Sequence, residues 1–165
     1  MDDEHPQDLF LQSYWLPIIR AEVELRRGRG ERAIALLAPT APFDFAVADA
    51  FTTSSLSPAY LRGQAYLVVG NGYKATAEFE KVITNPGMVL NLPLGSLAYL
   101  GRARALVLAG RPSDAADTYR DFFRLWKGAD SNTPSLLRAH DEFDRLNAAT
   151  ERLSTSGTSE KRMIR

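Results

Sequence analysis

The chain repeats one arrangement of glycine and alanine three times at a nearly constant distance. Gly28, Gly70 and Gly110 each follow an apolar, helix-like segment, and successive glycines are 42 and 40 residues apart. The fifth residue after each glycine is an alanine: Ala33, Ala75 and Ala115. A pair of helices that recurs at such a period is typical of a solenoid, in which each unit buries its apolar face against its neighbours.

Two further columns of the repeat predict how the helices of one unit touch. A small residue stands seven positions before each glycine, and small residues allow two helices to cross closely. A large apolar residue stands nine positions after the glycine. The small residues are Ala21, Gly63 and Ala103, and the large ones are Leu37, Phe79 and Tyr119. We expect the glycine itself to take a positive φ angle and end the first helix.

These columns, above all Gly63, Tyr66, Gly70, Ala75 and Phe79, resemble the tetratricopeptide repeat (TPR), whose usual period is 34 residues. We attribute the longer period to two insertions, at residues 39–56 and 85–95. The resemblance implies an all-α fold. It would be a right-handed solenoid of about three helical hairpins, followed by a C-terminal capping helix.

A longer stretch, residues 60–146, resembles the C-terminal TPR region of bacterial serine/threonine protein kinases and related multidomain regulators. The resemblance implies a regulatory interaction module in a signalling system. It also implies a cytoplasmic location, or a periplasmic one if the chain is the tail of a membrane-anchored kinase.

The apolar pattern predicts one domain from residue 8 to residue 153, with disordered ends at 1–7 and 154–165. Pro17 should kink or divide the first helix near Tyr14 and Trp15. Ser57 is expected to cap the third helix. The seven predicted helices span residues 8–27, 31–38, 57–70, 73–84, 96–109, 112 to about 126, and 134 to about 149. The last of them has no partner helix and is expected to cap the array.

The first insertion carries Phe43, Phe45, Val47 and Phe51, too many apolar residues for a solvated linker. We therefore expect it to fold against the repeats.

Composition excludes several functional classes. Twenty basic and twenty acidic residues give a formal net charge of zero, which argues against a nucleic acid as principal partner. The absence of cysteine excludes disulfides, thiolate catalysis and cysteine-ligated zinc. The sequence has no apolar run of about 18 residues, and its start lacks the order of a secretory signal, so we expect no membrane span in this chain.

The sequence offers no convincing catalytic, metal or cofactor site. Gly70-Asn71-Gly72 is better explained as a helix–helix turn than as a phosphate-binding loop, because the segment before it is helical. His140, Asp141 and Glu142 are adjacent on a predicted helix, so their side chains should point in different directions. We therefore predict a chain that is not an enzyme and needs no cofactor.

The resemblance also implies a binding groove, because the first helix of each TPR unit lines the concave surface. The family's groove columns are the positions thirteen, ten, six, three and two residues before each turn glycine. They hold Trp15, Ile18, Glu22, Leu25, Arg26, Ser57, Tyr60, Gln64, Leu67, Val68, Leu97, Leu100, Arg104, Val107 and Leu108. The surface would be apolar with a polar row of Glu22, Gln64 and Arg104. TPR proteins that bind the C-terminal carboxylate of a peptide carry a different set of residues in these columns. The sequence therefore disfavours a partner that is bound by its C-terminal carboxylate.

Three hypotheses follow for the function. The first is a protein or peptide partner that docks in the apolar groove, as a helix or an extended segment. The second is a homodimer formed through the same surface. The third is a small-molecule pocket between the repeats and residues 43–51. The sequence leaves open whether the groove is empty or is filled by the last helix or the aromatic insertion, and it does not identify the partner.

Overall fold

The computed structural model describes residues 11–45, 56–89 and 92–163, with the side chains of the last helix described up to Arg152. These residues form eight α-helices: α1 (Leu16–Arg26), α2 (Gly30–Leu37), α3 (Ser57–Val68), α4 (Gly72–Ile83), α5 (Pro86–Val89), α6 (Pro93–Leu108), α7 (Pro112–Leu125) and α8 (Pro134–Met163). A π-helical segment, Leu11–Trp15, precedes α1, and a 3₁₀ helix, Ala38–Phe43, follows α2. The described ranges contain no strand, so the predicted all-α class is confirmed. Within these ranges no helix is both long and apolar enough to cross a membrane.

The three turns between paired helices share one backbone structure. Gly28, Gly70 and Gly110 have φ angles of 70°, 74° and 71°, a left-handed conformation that glycine adopts without the steric cost of a side chain. In each turn the residue after the glycine donates its N–H to the carbonyl five residues earlier, as Arg29 does to Glu24 at 2.9 Å. This is the Schellman arrangement that ends many helices. The predicted role of the three glycines is confirmed.

The first predicted helix changes its hydrogen-bonding pattern close to its proline. The π-helical segment ends at Trp15, and α1 begins at Leu16 with Pro17 in its first turn. Pro17 has no N–H with which to bond the preceding turn. The helical backbone continues through Trp15, so the structure shows a change from π-helix to α-helix at the predicted place, and the kink or division itself stays a prediction.

The small and large columns identified in the sequence lie in the core. Ala21 and Ala103 are fully buried, and so are the three alanines that follow the turn glycines. Phe79 of α4 is fully buried as well. A Cβ atom on Gly63 of α3 would lie 2.8 Å from its ring, and one on Gly101 of α6 would lie 2.5 Å from it. Phe79 is thus enclosed between α3 and α6, where neither helix has room for a larger residue.

Two more glycines allow backbone contact between consecutive helix pairs. Gly30 opens α2 and Gly72 opens α4, each two residues after a turn glycine. A Cβ on Gly30 would lie 2.8 Å from the carbonyl oxygen of Ala65 in α3, and one on Gly72 would lie 2.5 Å from that of Ala105 in α6. Ala65 and Ala105 each stand five residues before the next turn glycine. The same close contact between a glycine and a backbone carbonyl therefore recurs at corresponding positions of two successive hairpins. It was not among the columns predicted from the sequence.

A buried ionic cluster attaches the first insertion to α3 and α4. Arg62 of α3 binds Asp44 and Glu78, and its Nη1 donates to the hydroxyl of Thr40 at 3.1 Å. Lys81 of α4 donates to Asp44 at 3.0 Å. Burial lowers the pKa of Arg62, but hydrogen bonds to Asp44 and Glu78 outweigh it and hold that pKa above its ordinary value. The cluster keeps Arg62 charged although only 6% of its side chain is exposed.

Of the four apolar residues expected to hold this insertion, the structure describes Phe43 and Phe45. Phe43 meets Tyr14 edge-on, with ring centroids 6.0 Å apart, whereas Phe45 is 59% exposed. Val47 and Phe51 lie outside the described residues. The described part of the insertion does fold against the helices, but the exposed ring of Phe45 does not hold it there.

Some helix limits differ from the sequence prediction. α6 begins at Pro93, three residues before the expected start, and Pro86–Val89 forms a short helix inside the second insertion. The predicted cap at Ser57 is wrong, because α3 already includes Ser57. Leu56 holds the N-cap position, and no side chain caps the first turn.

The last helix is longer than expected. The helix end predicted near Ala149 is wrong, because α8 continues to Met163. No proline follows Pro134 to stop the helix, and the glutamate, lysine and arginine at residues 160–162 favour helix, whereas the serine, threonine and glycine residues at 154–159 do not. The disordered tail expected from residue 154 stays a prediction.

α8 covers one side of α6 and α7. Ala139 of α8 is fully buried, and Leu136 is 9% exposed. Phe143 and Leu146 pack beside them in a cluster that includes Tyr119 of α7. Three members of the apolar stripe predicted for α8, Leu136, Phe143 and Leu146, are therefore packed against its neighbours, whereas the fourth, Leu137, is 50% exposed.

Candidate functional site

A cavity of about 420 Å³ lies between four helices, and we term it the groove cavity. Its lining residues come from α1, α3, α6 and α8, and none of them from α2, α4 or α7. The lining therefore consists of the first helix of each pair and the helix that follows the last pair. Nine predicted residues line it: Glu22, Leu25, Arg26, Tyr60, Gln64, Val68, Leu97, Leu100 and Arg104. Leu61, Ser135 and Arg138 complete the lining.

A second cavity of about 500 Å³, termed the end cavity, adjoins the first. Arg104 lines both cavities. The end cavity brings in three more predicted residues, Leu67, Val107 and Leu108, and residues 142–149 of α8. Together the two cavities form a groove that runs along α8.

Twelve of the fifteen residues predicted from the groove columns thus line one of the two cavities. Trp15, Ile18 and Ser57 line neither. Ile18 packs against the buried cluster between α1, α2 and α3, whereas Trp15 lies in the π-helical segment with its ring against Tyr14. Ser57 is the first residue of α3.

Each member of the polar row has a partner within the groove. Arg26 donates from Nε to Glu22 at 2.9 Å, along one turn of α1. Gln64 donates from Nε2 to the hydroxyl of Tyr60 at 3.1 Å. Arg104 binds Glu142 of α8 through Nε at 2.8 Å and through Nη2 at 3.0 Å. The row is therefore a set of paired groups, and only the last pair links two helices.

The ion pair between Arg104 and Glu142 includes a buried tyrosine. The hydroxyl of Tyr119 donates to Glu142 at 3.0 Å, so this carboxylate accepts from α6 and α7 at once. Burial raises the pKa of the Tyr119 hydroxyl well above its ordinary value, and the negative charge of Glu142 raises it further. Tyr119 therefore remains a protonated donor, and Glu142 fastens α8 to the side of the groove.

Three apolar side chains along the groove are unusually exposed. Val68 is 48% exposed, Val107 is 43% exposed and Leu108 is 51% exposed. All three line one of the two cavities. Apolar side chains gathered at a concave surface commonly mark a place where a protein or ligand binds.

The groove is narrowed by α8 but not filled by it. Glu142 closes the space beside Arg104, yet cavities remain on both sides of this pair. The described part of the aromatic insertion does not line either cavity. Residues 46–51, which the third hypothesis also needs, lie outside the described residues.

The groove-lining role of α8 is the main feature that the sequence prediction missed. Ser135, Arg138, Glu142, Arg145 and Ala149 line the two cavities. They recur every three or four residues, which places them on one face of a helix. That spacing is present in the sequence, but the apolar stripe of the same helix predicted only that the helix covers the last pair.

The adjacent residues on α8 have separate partners, as predicted. The ring of His140 stacks on Phe123 with centroids 4.2 Å apart, whereas Glu142 binds Arg104 and Tyr119. In the described part of the chain, no three or more acidic or histidine side chains are grouped as metal ligands would be.

Comparisons with protein-family models, curated proteins and solved structures found no match to this chain.

Proposed function

We propose that the chain is a TPR-like array of three helical hairpins with α8 as its capping helix. Support comes from the three identical turns at Gly28, Gly70 and Gly110, with φ angles between 70° and 74°. The contacts of Gly30 and Gly72 with the following hairpin provide further support. In such an array the second helices lie behind the first helices, which face a common concave surface.

The chain then acts as a non-catalytic module that binds a helix or peptide of another protein in its groove. The observation that carries this function is the lining of the groove, since α1, α3, α6 and α8 supply every lining residue except Tyr119 of α7. Val68, Val107 and Leu108 supply exposed apolar area that a bound apolar side chain would cover. An amphipathic helix laid along a groove buries its apolar face in this way. A regulatory role in a signalling system remains part of the proposal.

The test uses amphipathic helical peptides of about 18 residues, long enough to form a helix on binding. They carry the same leucine stripe and either acidic, neutral or basic polar faces. Binding is measured by fluorescence polarisation with the full chain. We expect at least one peptide to bind, and Val68→Ser with Leu108→Ser to weaken its binding about tenfold, because each change removes apolar contact area.

The matched control changes two apolar side chains elsewhere. Tyr73 of α4 is 71% exposed and Leu125 of α7 is 52% exposed, and neither lines the groove. Tyr73→Ser with Leu125→Ser should bind the peptide as the unchanged protein does. The proposal fails if no peptide binds, or if the two double variants weaken binding equally. Leu100 is unsuitable for this test because it is only 3% exposed and its loss would disturb the core.

A homodimer through the same surface is the second candidate. The exposed side chains of Val107 and Leu108 favour it, because a twofold interface could bury both of them in each subunit. Sedimentation velocity at high protein concentration decides between the two. A species of 18.3 kDa would exclude the dimer.

A further inference from the structure

Two arginines of α8 differ from most others in their contacts. Ten arginines of the described residues form ion pairs with aspartate or glutamate. Arg138 and Arg145 form none within the described ranges. Their Nε atoms donate to backbone carbonyls of their own helix, those of Pro134 and Asp141. The remaining N–H groups of both guanidiniums are left for another acceptor.

Both of these arginines face the groove. Arg138 lines the groove cavity, Arg145 lines the end cavity, and the ion pair of Arg104 with Glu142 stands between them. Positions seven residues apart lie on one face of a helix, about 10 Å apart along its axis. Arg138 and Arg145 therefore present two positive charges in line along one wall of the groove.

The groove as a whole is more positive than the chain. Four arginines line the two cavities, Arg26, Arg104, Arg138 and Arg145, against two glutamates, Glu22 and Glu142. The lining thus carries a net charge of +2, whereas the chain has a formal net charge of zero. Because Glu22 is paired with Arg26 and Glu142 with Arg104, the excess positive charge of the lining is that of Arg138 and Arg145.

We infer that the groove selects an acidic amphipathic helix of a partner protein, an inference that rests on the proposed function. Two carboxylates of that helix, seven residues apart, match the spacing of Arg138 and Arg145. Its apolar side chains enter the two cavities beside Val68, Val107 and Leu108. The exposed apolar surface supplies affinity, and the two arginines determine which partner binds and in which orientation.

The first measurement compares three peptides that share one leucine stripe. Two positions seven residues apart carry glutamate, glutamine or lysine, and all other positions are identical. We expect the glutamate peptide to bind at least about fivefold more tightly than the glutamine peptide, and the lysine peptide to bind most weakly. The advantage of the glutamate peptide should shrink as salt is raised, because exposed charges are screened.

The second measurement tests whether α8 supplies this preference. Arg138→Gln with Arg145→Gln should remove it, whereas Arg120→Gln with Arg124→Gln should leave it intact. Arg120→Gln with Arg124→Gln is the control, because it removes two positive charges, as Arg138→Gln with Arg145→Gln does. Its arginines lie on α7 and pair there with Asp117 and Asp121. Arg138→Glu with Arg145→Glu should reverse the order, so that the lysine peptide binds best. Circular dichroism of each variant confirms that it is folded.

Different outcomes overturn the inference and the proposed function. If all three peptides bind equally and Val68→Ser with Leu108→Ser still weakens them, the inference fails and the proposed function stands. If none binds, both fail. The unchanged protein could also form a dimer that is lost in the Arg138→Glu, Arg145→Glu double variant. That result would assign the groove to a second copy of the chain and would also overturn the inference.

The chain's own acidic N-terminus provides a final check. Residues 1–10 contain four acidic groups: Asp2, Asp3, Glu4 and Asp8. Neutralising all four should leave the affinity for the glutamate peptide unchanged. Tighter binding would instead assign the groove to this segment and overturn the inference.

Discussion

The junction between α4 and α6 joins two consecutive helix pairs, and the junction between α7 and α8 joins the last pair to the final helix in a different way. At the first, Gly72 lets the start of α4 approach the backbone of α6, and the ring of Phe79 lies against Gly101. At the second, the position that corresponds to Gly72 is Pro112. Here large side chains make the contact, and the ring of Phe143 lies within 6 Å of the rings of Tyr119 and Phe123.

This difference determines what each junction can tolerate. Backbone atoms held at van der Waals distance cannot move away from an added methyl group, so the first junction specifies one relative position of its helices. Side chains can change rotamer, so the second junction can adjust. α8 is also held by the hydrogen bonds of Glu142 to Arg104 and Tyr119, which depend on charge and protonation. The predictions below test this contrast.

Removal of the central ring should have the largest effect. Phe79→Ala should destabilise the protein by about 4 kcal/mol, because it leaves a cavity between α3 and α6 that neither helix can close. Phe143→Ala, at the partly exposed α8 junction, should cost about half as much. Urea unfolding measures both. Equal losses would show that the two junctions are packed alike.

The second largest difference between the two junctions should be the loss of stability caused by a side-chain change at corresponding positions. Gly72→Ala should cost roughly 2–3 kcal/mol, because its Cβ would lie 2.5 Å from the carbonyl oxygen of Ala105. Pro112→Ala at the corresponding position should change the stability by less than about 1 kcal/mol. Thermal unfolding of the two variants is the measurement. A harmless Gly72→Ala would remove the argument for close backbone contact.

Loss of one charge should loosen α8 alone. Glu142→Gln keeps the size of the side chain but ends its ion pair with Arg104, in which both side chains are about one-third exposed. We expect a loss of about 1 kcal/mol. Amide hydrogen exchange should accelerate in α8 and stay unchanged in α3 and α4. Uniform acceleration would mean that α8 does not open separately.

The protonation of Tyr119 should give the smallest effect, seen only at alkaline pH. Its pKa is raised in the folded state, chiefly by burial, whereas a tyrosine in the unfolded chain ionises near 10. Above about pH 10 the unfolded state therefore holds fewer protons, and stability falls as pH rises. Tyr119→Phe should lose less stability than the unchanged protein between about pH 9 and pH 11 in urea unfolding. Equal losses would contradict this assignment.

The sequence was sufficient to predict the features that depend on short spacings. The turn glycines, the buried alanine columns and the contact of Phe79 with Gly63 all follow from positions within one unit. The contacts of Gly30 and Gly72 could not be predicted in the same way, because they depend on the backbone of the following hairpin.

Long-range polar contacts were the least predictable. Arg62 meets Asp44 across 18 residues and Glu78 across 16, so no local pattern brings them together. A signal did exist, since Arg62 is the only charged residue of α3. Twelve of the fifteen residues predicted to line the groove do line it. The lining residues of α8 were missed because α8 has no turn glycine from which to count the columns.

The most direct test of the groove is an NMR titration of the ¹⁵N-labelled chain with the acidic amphipathic peptide. The account predicts that the amide signals that shift belong to α1, α3, α6 and α8, with the largest changes near Val68, Leu108 and Arg138. Signals of α2 and α4 should stay in place, and those of α7 should change only near Tyr119, which lines the end cavity. Shifts concentrated on α2 and α4, or an unchanged spectrum at saturating peptide, would contradict it.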